Sequence, residues 1–111
     1  MIFKDEKHEQ RFREFLGRMK SSDRYHGALA YLLALDENIR DDPKRISDCF
    51  DFEKDAICRT ALEEPWITGF DRRVLTLAFH LWNDGNEANM SNIFGYGNLD
   101  YLLEAVRIRF S

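Results

Sequence analysis

The eleven residues Tyr25-His-Gly-Ala-Leu-Ala-Tyr-Leu-Leu-Ala-Leu35 constrain this chain more than any others. A helix built from them is apolar on nearly every side, so neighbours must cover most of its surface. The run is far too short to cross a bilayer, which takes about 20 residues. It therefore belongs at the centre of a helical bundle. Gly27 costs such a helix about 1 kcal/mol relative to Ala, and the close approach of a second helix would account for it. His26 is the one strongly polar interior residue. It either keeps a buried hydrogen-bond partner or acts as a pH- or metal-responsive group.

A second helix follows from Thr68-Gly-Phe-Asp-Arg-Arg-Val-Leu-Thr-Leu-Ala-Phe-His-Leu-Trp-Asn83. Val74, Leu75, Ala78, Phe79, Leu81 and Trp82 form a wide apolar arc at helical spacing. Arg73, Thr76, His80 and Asn83 fall at i, i+3, i+7 and i+10 and make one narrow polar stripe. The other elements are read from caps and periodicity. Phe3 to Lys20 forms a helix entered at Asp5, with His8, Phe12, Phe15, Leu16 and Met19 on one face. Ser21-Ser22-Asp23 breaks it and caps the Arg24 to Glu37 helix. Asp36 to Asp42 reads as a turn, and Asp42-Pro43 starts a further helix. Asp51-Phe52-Glu53 interrupts that helix, and a helical segment resumes over about Glu53 to Leu62. Glu64-Pro65 stops it. Residues 84–90 form a loop, Ser91 caps a single turn, and Asn98 to Phe110 is the last helix. No strand periodicity of useful length is present. The expected architecture is all-α: one compact domain over residues 1–111 with five to six helices.

The charge is uneven. The net value is −4. Residues 26–64 hold five Lys/Arg against ten Asp/Glu, whereas residues 1–25 hold seven against five. The N-terminal excess is too small for a nucleic-acid surface. The carboxylates Asp48, Asp51, Glu53 and Asp55 cluster near the helix interruption, and they read either as a solvated face or as a contact for a basic partner. Two Cys, Cys49 and Cys58, make no disulfide framework. With no apolar run at the start, the expectation is a reduced, cytoplasmic protein.

No catalytic, metal or nucleotide motif stands out. Cys49 and Cys58 lie nine residues apart, which is wrong for a zinc knuckle, so no metal and no cofactor are expected. Asp84-Gly85-Asn86 fails the calcium-loop pattern at Ala88. Gly95-Tyr96-Gly97 follows no strand, and so reads as a turn and not a phosphate cradle. Trp66, Phe70 and Trp82 read as core. His80 and Arg73 offer a general base with an anion-recognising partner, or else an ordinary polar stripe.

The ordered segments Phe3-Lys-Asp-Glu-Lys-His8, Asp23 to Leu35, Phe50-Asp51-Phe52, Trp66-Ile-Thr-Gly69, Leu77-Ala-Phe-His-Leu-Trp-Asn83 and Tyr101-Leu-Leu-Glu-Ala105 carry a resemblance. The chain resembles a family of small Firmicutes proteins of unknown function found in genomes, phages and mobile elements. The resemblance assigns no catalytic residues. It implies a cytoplasmic bacterial protein of mobile DNA. Together with the acidic middle, it leads to the expectation of a non-catalytic module that binds a host protein. A basic nucleic-acid-handling enzyme is one such partner, as for an anti-CRISPR-like inhibitor, and no direct nucleic-acid or membrane contact is expected. Two alternatives are a small-ligand protein or enzyme using Arg73, Thr76, His80 and Asn83, and a structural homodimer formed through the two-sided last helix.

Overall fold

Helix entry in this chain is governed by Asp and Asn side chains. A carboxylate or amide oxygen just before a helix satisfies backbone N–H groups that have no intrahelical acceptor. Asp5 accepts from the His8 amide at the start of α1 (Glu6–Arg18), and Asp23 from that of His26 at the start of α2 (Arg24–Leu35). Asp36 caps the short α3 (Glu37–Arg40), Asp42 caps α4 (Pro43–Cys49) and Asn89 caps α6 (Met90–Phe94). The long helix α5 spans Gly69–Asn83 and α7 spans Leu99–Phe110. The computed structural model describes residues 1–83 and 86–111. The stop signal and loop expected at Asn83 to Met90 therefore lie partly outside the described residues.

Helix α2 is the hub. It packs against α1, α5 and α7, while α5 and α7 touch each other only slightly. Every residue from His26 to Leu35 is buried, as its all-round apolarity requires. Gly27 has the reason anticipated for it: a Cβ there would sit 3.3 Å from the Ile108 Cγ2 of α7. The core continues through Phe12 and Phe15 of α1, Val74, Leu75, Ala78 and Phe79 of α5, and Leu102 and Ala105 of α7.

Two expectations need correction. Asp36 to Asp42 is not a plain turn. Asp36 leaves α2 in an extended conformation, and its carboxylate accepts the Asn38 and Ile39 amides, starting α3 at once. The helical segment expected over Glu53 to Leu62 is instead a two-stranded antiparallel hairpin, β1 (Phe50–Asp51) and β2 (Ala56–Ile57), followed by a 3-10 helix at Arg59–Glu63. The cause is local. Asp51 accepts the backbone amides of Glu53 and Lys54, which bends the chain away from α4. Asp55 then adopts a left-handed conformation with φ 55° and reverses it. With α3 gained and the hairpin in place of an expected helical segment, the described residues form seven α-helices, more than the five to six expected, plus a small sheet, and the fold is still mostly helical.

The segment before α1 is tied down by buried polar groups. The Lys4 amide donates to His8 Nδ1, so the ring carries its proton on Nε2 and donates it to the Tyr31 carbonyl at 3.0 Å. Burial lowers the His8 pKa and keeps the ring neutral. The Tyr31 hydroxyl donates to the Ile2 carbonyl, and the Ile2 amide donates to Glu104 of α7. Among the described residues no helix is long and apolar enough to cross a membrane.

Candidate functional site

The polar stripe of α5 divides between two surroundings. Its first half, Arg73 and Thr76, lines a cleft of about 440 Å³ between α5 and α6, together with Arg72, Glu87, Asn89, Asn92 and Tyr96. This volume falls within the range of small-molecule sites, about 300–1,000 Å³. The Arg73 guanidinium lies 4.8 Å from the Tyr96 ring centroid and 5.9 Å from that of Phe70. Among the described residues neither Arg72 nor Arg73 has a carboxylate within 4.0 Å. Tyr96 belongs to the Gly95-Tyr96-Gly97 turn, which holds an exposed ring at the cleft rim. Gly97 has φ 102°, a conformation that side chains disfavour.

The second half of the stripe lies outside this lining. His80 donates from Nδ1 to the Asn86 carbonyl at 2.9 Å, and Asn83 accepts from Arg59 at 2.9 Å. Asn86 in turn donates to the Thr76 carbonyl. The stripe read from sequence as one site therefore serves a ligand-sized cleft at one end and loop anchoring at the other.

The acidic cluster does not form one free face. Asp48 accepts from the Trp66 indole at 3.2 Å and pairs with Lys44 at 3.6 Å. Asp51 is the acceptor of its own turn, and of the four only Glu53 is exposed. Asp55 turns inward. Its carboxylate takes His26 Nε2 at 2.7 Å, while Asp23 takes His26 Nδ1 at 2.7 Å. Both ring nitrogens thus donate to carboxylates, and the Trp82 ring stands edge-on 4.7 Å away. Two carboxylate acceptors, one on each ring nitrogen, are the partners an imidazolium takes; burial pulls the His26 pKa down, but the two carboxylates outweigh it and raise it. The hydrogen bond to that ring, with a second from the His26 amide, lowers Asp23 to about 2. His26 is thus a charged core group with two partners, and not the neutral one that burial alone suggests.

A second buried acid pair escaped the sequence reading. Asp36 and Asp71 are 1% and 0% exposed, and they meet where α3 and α5 begin. Burial, a hydrogen bond with Asp71 and the charge of Asp71 raise Asp36 to about 8. Burial also works to raise Asp71, but hydrogen bonds from Asp36, from the Thr68 amide and hydroxyl, and from Asn38 lower it. At neutral pH the pair therefore holds one proton, on Asp36, donated to the Asp71 carboxylate. Asp36 Oδ1 accepts the Asn38 and Ile39 amides, and no N–H group reaches the buried Oδ2. Both residues also line a smaller pocket with Lys4, Thr68 and Asn98. Each serves foremost to start a helix. No sequence pattern links positions so far apart.

Cys49 is buried and Cys58 partly so, and both are free thiols raised by burial. The described residues contain no group of three or more His, Cys, Asp or Glu placed to hold a metal ion. Trp66, Phe70 and Trp82 are partly buried and pack against the core.

Comparison with curated proteins and with solved structures finds no match. A family model does match, and it spans residues 1–111, which takes in the whole stretch of the resemblance from Phe3 to Ala105. The chain therefore belongs to the family of unknown function DUF6075.

Proposed function

We propose that this protein is a non-catalytic binding protein whose ligand is a small phosphate ester with a planar ring, held in the α5–α6 cleft. The observation that carries this reading is the pair of guanidiniums, Arg72 and Arg73, lining one cleft; Glu87 lines it too, but among the described residues no carboxylate lies within 4.0 Å of either guanidinium. Guanidinium forks match phosphate oxygens. Asn89, Asn92 and the Thr76 hydroxyl add neutral donors around the same space. Tyr96 presents an exposed ring for stacking. The reading assigns no acid–base step, because His80 lies outside the lining and is bonded to Asn86.

The acidic segment supports a host-protein contact less well, since Asp48, Asp51 and Asp55 already accept from groups of the chain itself. A host partner would meet chiefly Glu53 there. An origin in mobile DNA fits either reading and favours neither.

Calorimetric titration with adenosine 5′-monophosphate tests the cleft, with inorganic phosphate and adenosine as its two halves. The expected result is saturable binding of the monophosphate, with Arg72→Ala and Arg73→Ala each weakening it at least about tenfold. Tyr96→Ala should weaken the nucleotide and leave phosphate unchanged. Absence of binding at millimolar nucleotide, or binding indifferent to both Arg substitutions, would overturn the reading.

A further inference from the structure

Helix α7 carries two apolar faces, and the bundle covers only one. Leu102 and Ala105 are buried, with Tyr101 and Ile108 packed against the core. On the other side Leu99, Leu103 and Phe110 are 47%, 41% and 64% exposed, and Val106 between them is half-buried, one side of it packed against the core. At 100° per residue these four side chains fall within about 60° of arc, so they form one continuous stripe. Contiguous apolar stripes of this kind mark interaction surfaces more often than isolated exposed residues do.

Charge decides the occupant. Asp100 and Arg107 lie seven residues apart, within about 20° of each other, along one flank of the stripe. They are too far apart on one helix to touch, and Arg107 instead reaches Glu104 at 3.4 Å while remaining 76% exposed. In an antiparallel pair of helices, the same flank of each faces the same flank of the other. A two-fold axis between positions 103 and 104 brings Asp100 of each helix opposite Arg107 of the other. In that register the two Leu103 side chains meet at the axis. Each Leu99 then inserts between Val106 and Phe110 of the other copy. One register satisfies both the apolar stripe and the flanking charges, as a self-complementary interface requires. We infer that the exposed face of α7 is a homodimer interface, closed by a second copy of this chain packed antiparallel across that axis.

Sedimentation equilibrium of the full chain from about 1 µM to about 500 µM reads the association directly. The wild type should dimerise within this range. Leu103→Asp, at an exposed position where the fold should tolerate it, should weaken dimerisation at least about tenfold. Asp100→Arg and Arg107→Asp should each weaken it about tenfold, because each creates two like-charge contacts per dimer. The double swap should bring it back to within about threefold of wild type. It should do so even though it opposes the helix dipole and lowers the melting temperature. Circular dichroism of each variant separates loss of fold from loss of association. A wild type that stays monomeric throughout would overturn the inference and leave the stripe to a different protein or to none. A double swap as weak as either single swap would overturn it as well.

Discussion

Asp71→Asn is expected to destabilise the fold by about 2–4 kcal/mol in urea unfolding at pH 7, whereas Asp36→Asn is expected to stabilise it. The asymmetry follows from who holds the proton. Asp71 accepts from the Thr68 amide, the Thr68 hydroxyl and Asn38, and an amide NH₂ in that position would face donors and leave them unpaired in a buried place. Asp36 is already the donor of the pair. An Asn there keeps the oxygen that caps α3 and supplies an N–H toward Asp71 without any titration. The pH dependence gives the sign. Unfolded, Asp36 ionises near 3.8, and folded it keeps its proton to about 8. Its contribution is therefore fully present below pH 3.8 and is lost progressively as pH rises to about 8. Asp36→Asn should thus be nearly neutral at pH 4 and stabilising by about 1–2 kcal/mol at pH 8. In a chain of this length that corresponds to roughly 4 °C in melting temperature per kcal/mol. Equal destabilisation at both pH values would mean that Asp36 carries no proton in the fold.

His26→Ala should cost about 3 kcal/mol. It removes a cation that two carboxylates grip, leaves Asp55 turned into a site with a side-chain exposure of 19%, and opens a gap against Trp82. Asp55→Asn provides the control. Asn tolerates the left-handed backbone that Asp55 occupies and can still hydrogen-bond the ring, so only the charge is lost, and the cost should be about 1 kcal/mol. The raised His26 pKa gives stability that is present below 6.5 and lost as pH rises through the higher folded value. Asp23 acts at the other end: its contribution is present above 3.8 and lost as pH falls toward about 2. The clamp is strongest between these limits. Thermal melts should show the His26→Ala penalty largest near pH 5 and shrinking above neutrality. A penalty independent of pH would assign His26 a packing role alone.

The helices were legible because their signals are local. Asp5, Asp23 and Asp42-Pro43 announce helix starts within four residues, and the apolar arc of α5 repeats over four turns. The hub position of α2 was legible because a helix with no polar face has no other place in a small domain. The hairpin was not. Strands of two residues are too short to alternate, and the left-handed Asp55 that reverses the chain is held by His26, 29 residues earlier. The same limit hid the Asp36–Asp71 pair, since each residue alone reads as a cap or turn former. Arg73 and Thr76 were found as a stripe. Arg72 and Tyr96, which complete the cleft, depend on where α6 and its turn dock, and that is fixed by packing of Ile93 into the core.

Because α1, α5 and α7 each pack on α2 and α5 scarcely meets α7, no partial opening can expose the α2 backbone while sparing the rest. An outer helix can detach alone, but α2 is freed only when all three leave. Its amides from about Leu29 to Leu35 should therefore be the slowest to exchange with solvent deuterium. Their protection should report the global unfolding free energy, while amides of α1 and α7 exchange through cheaper, separate openings.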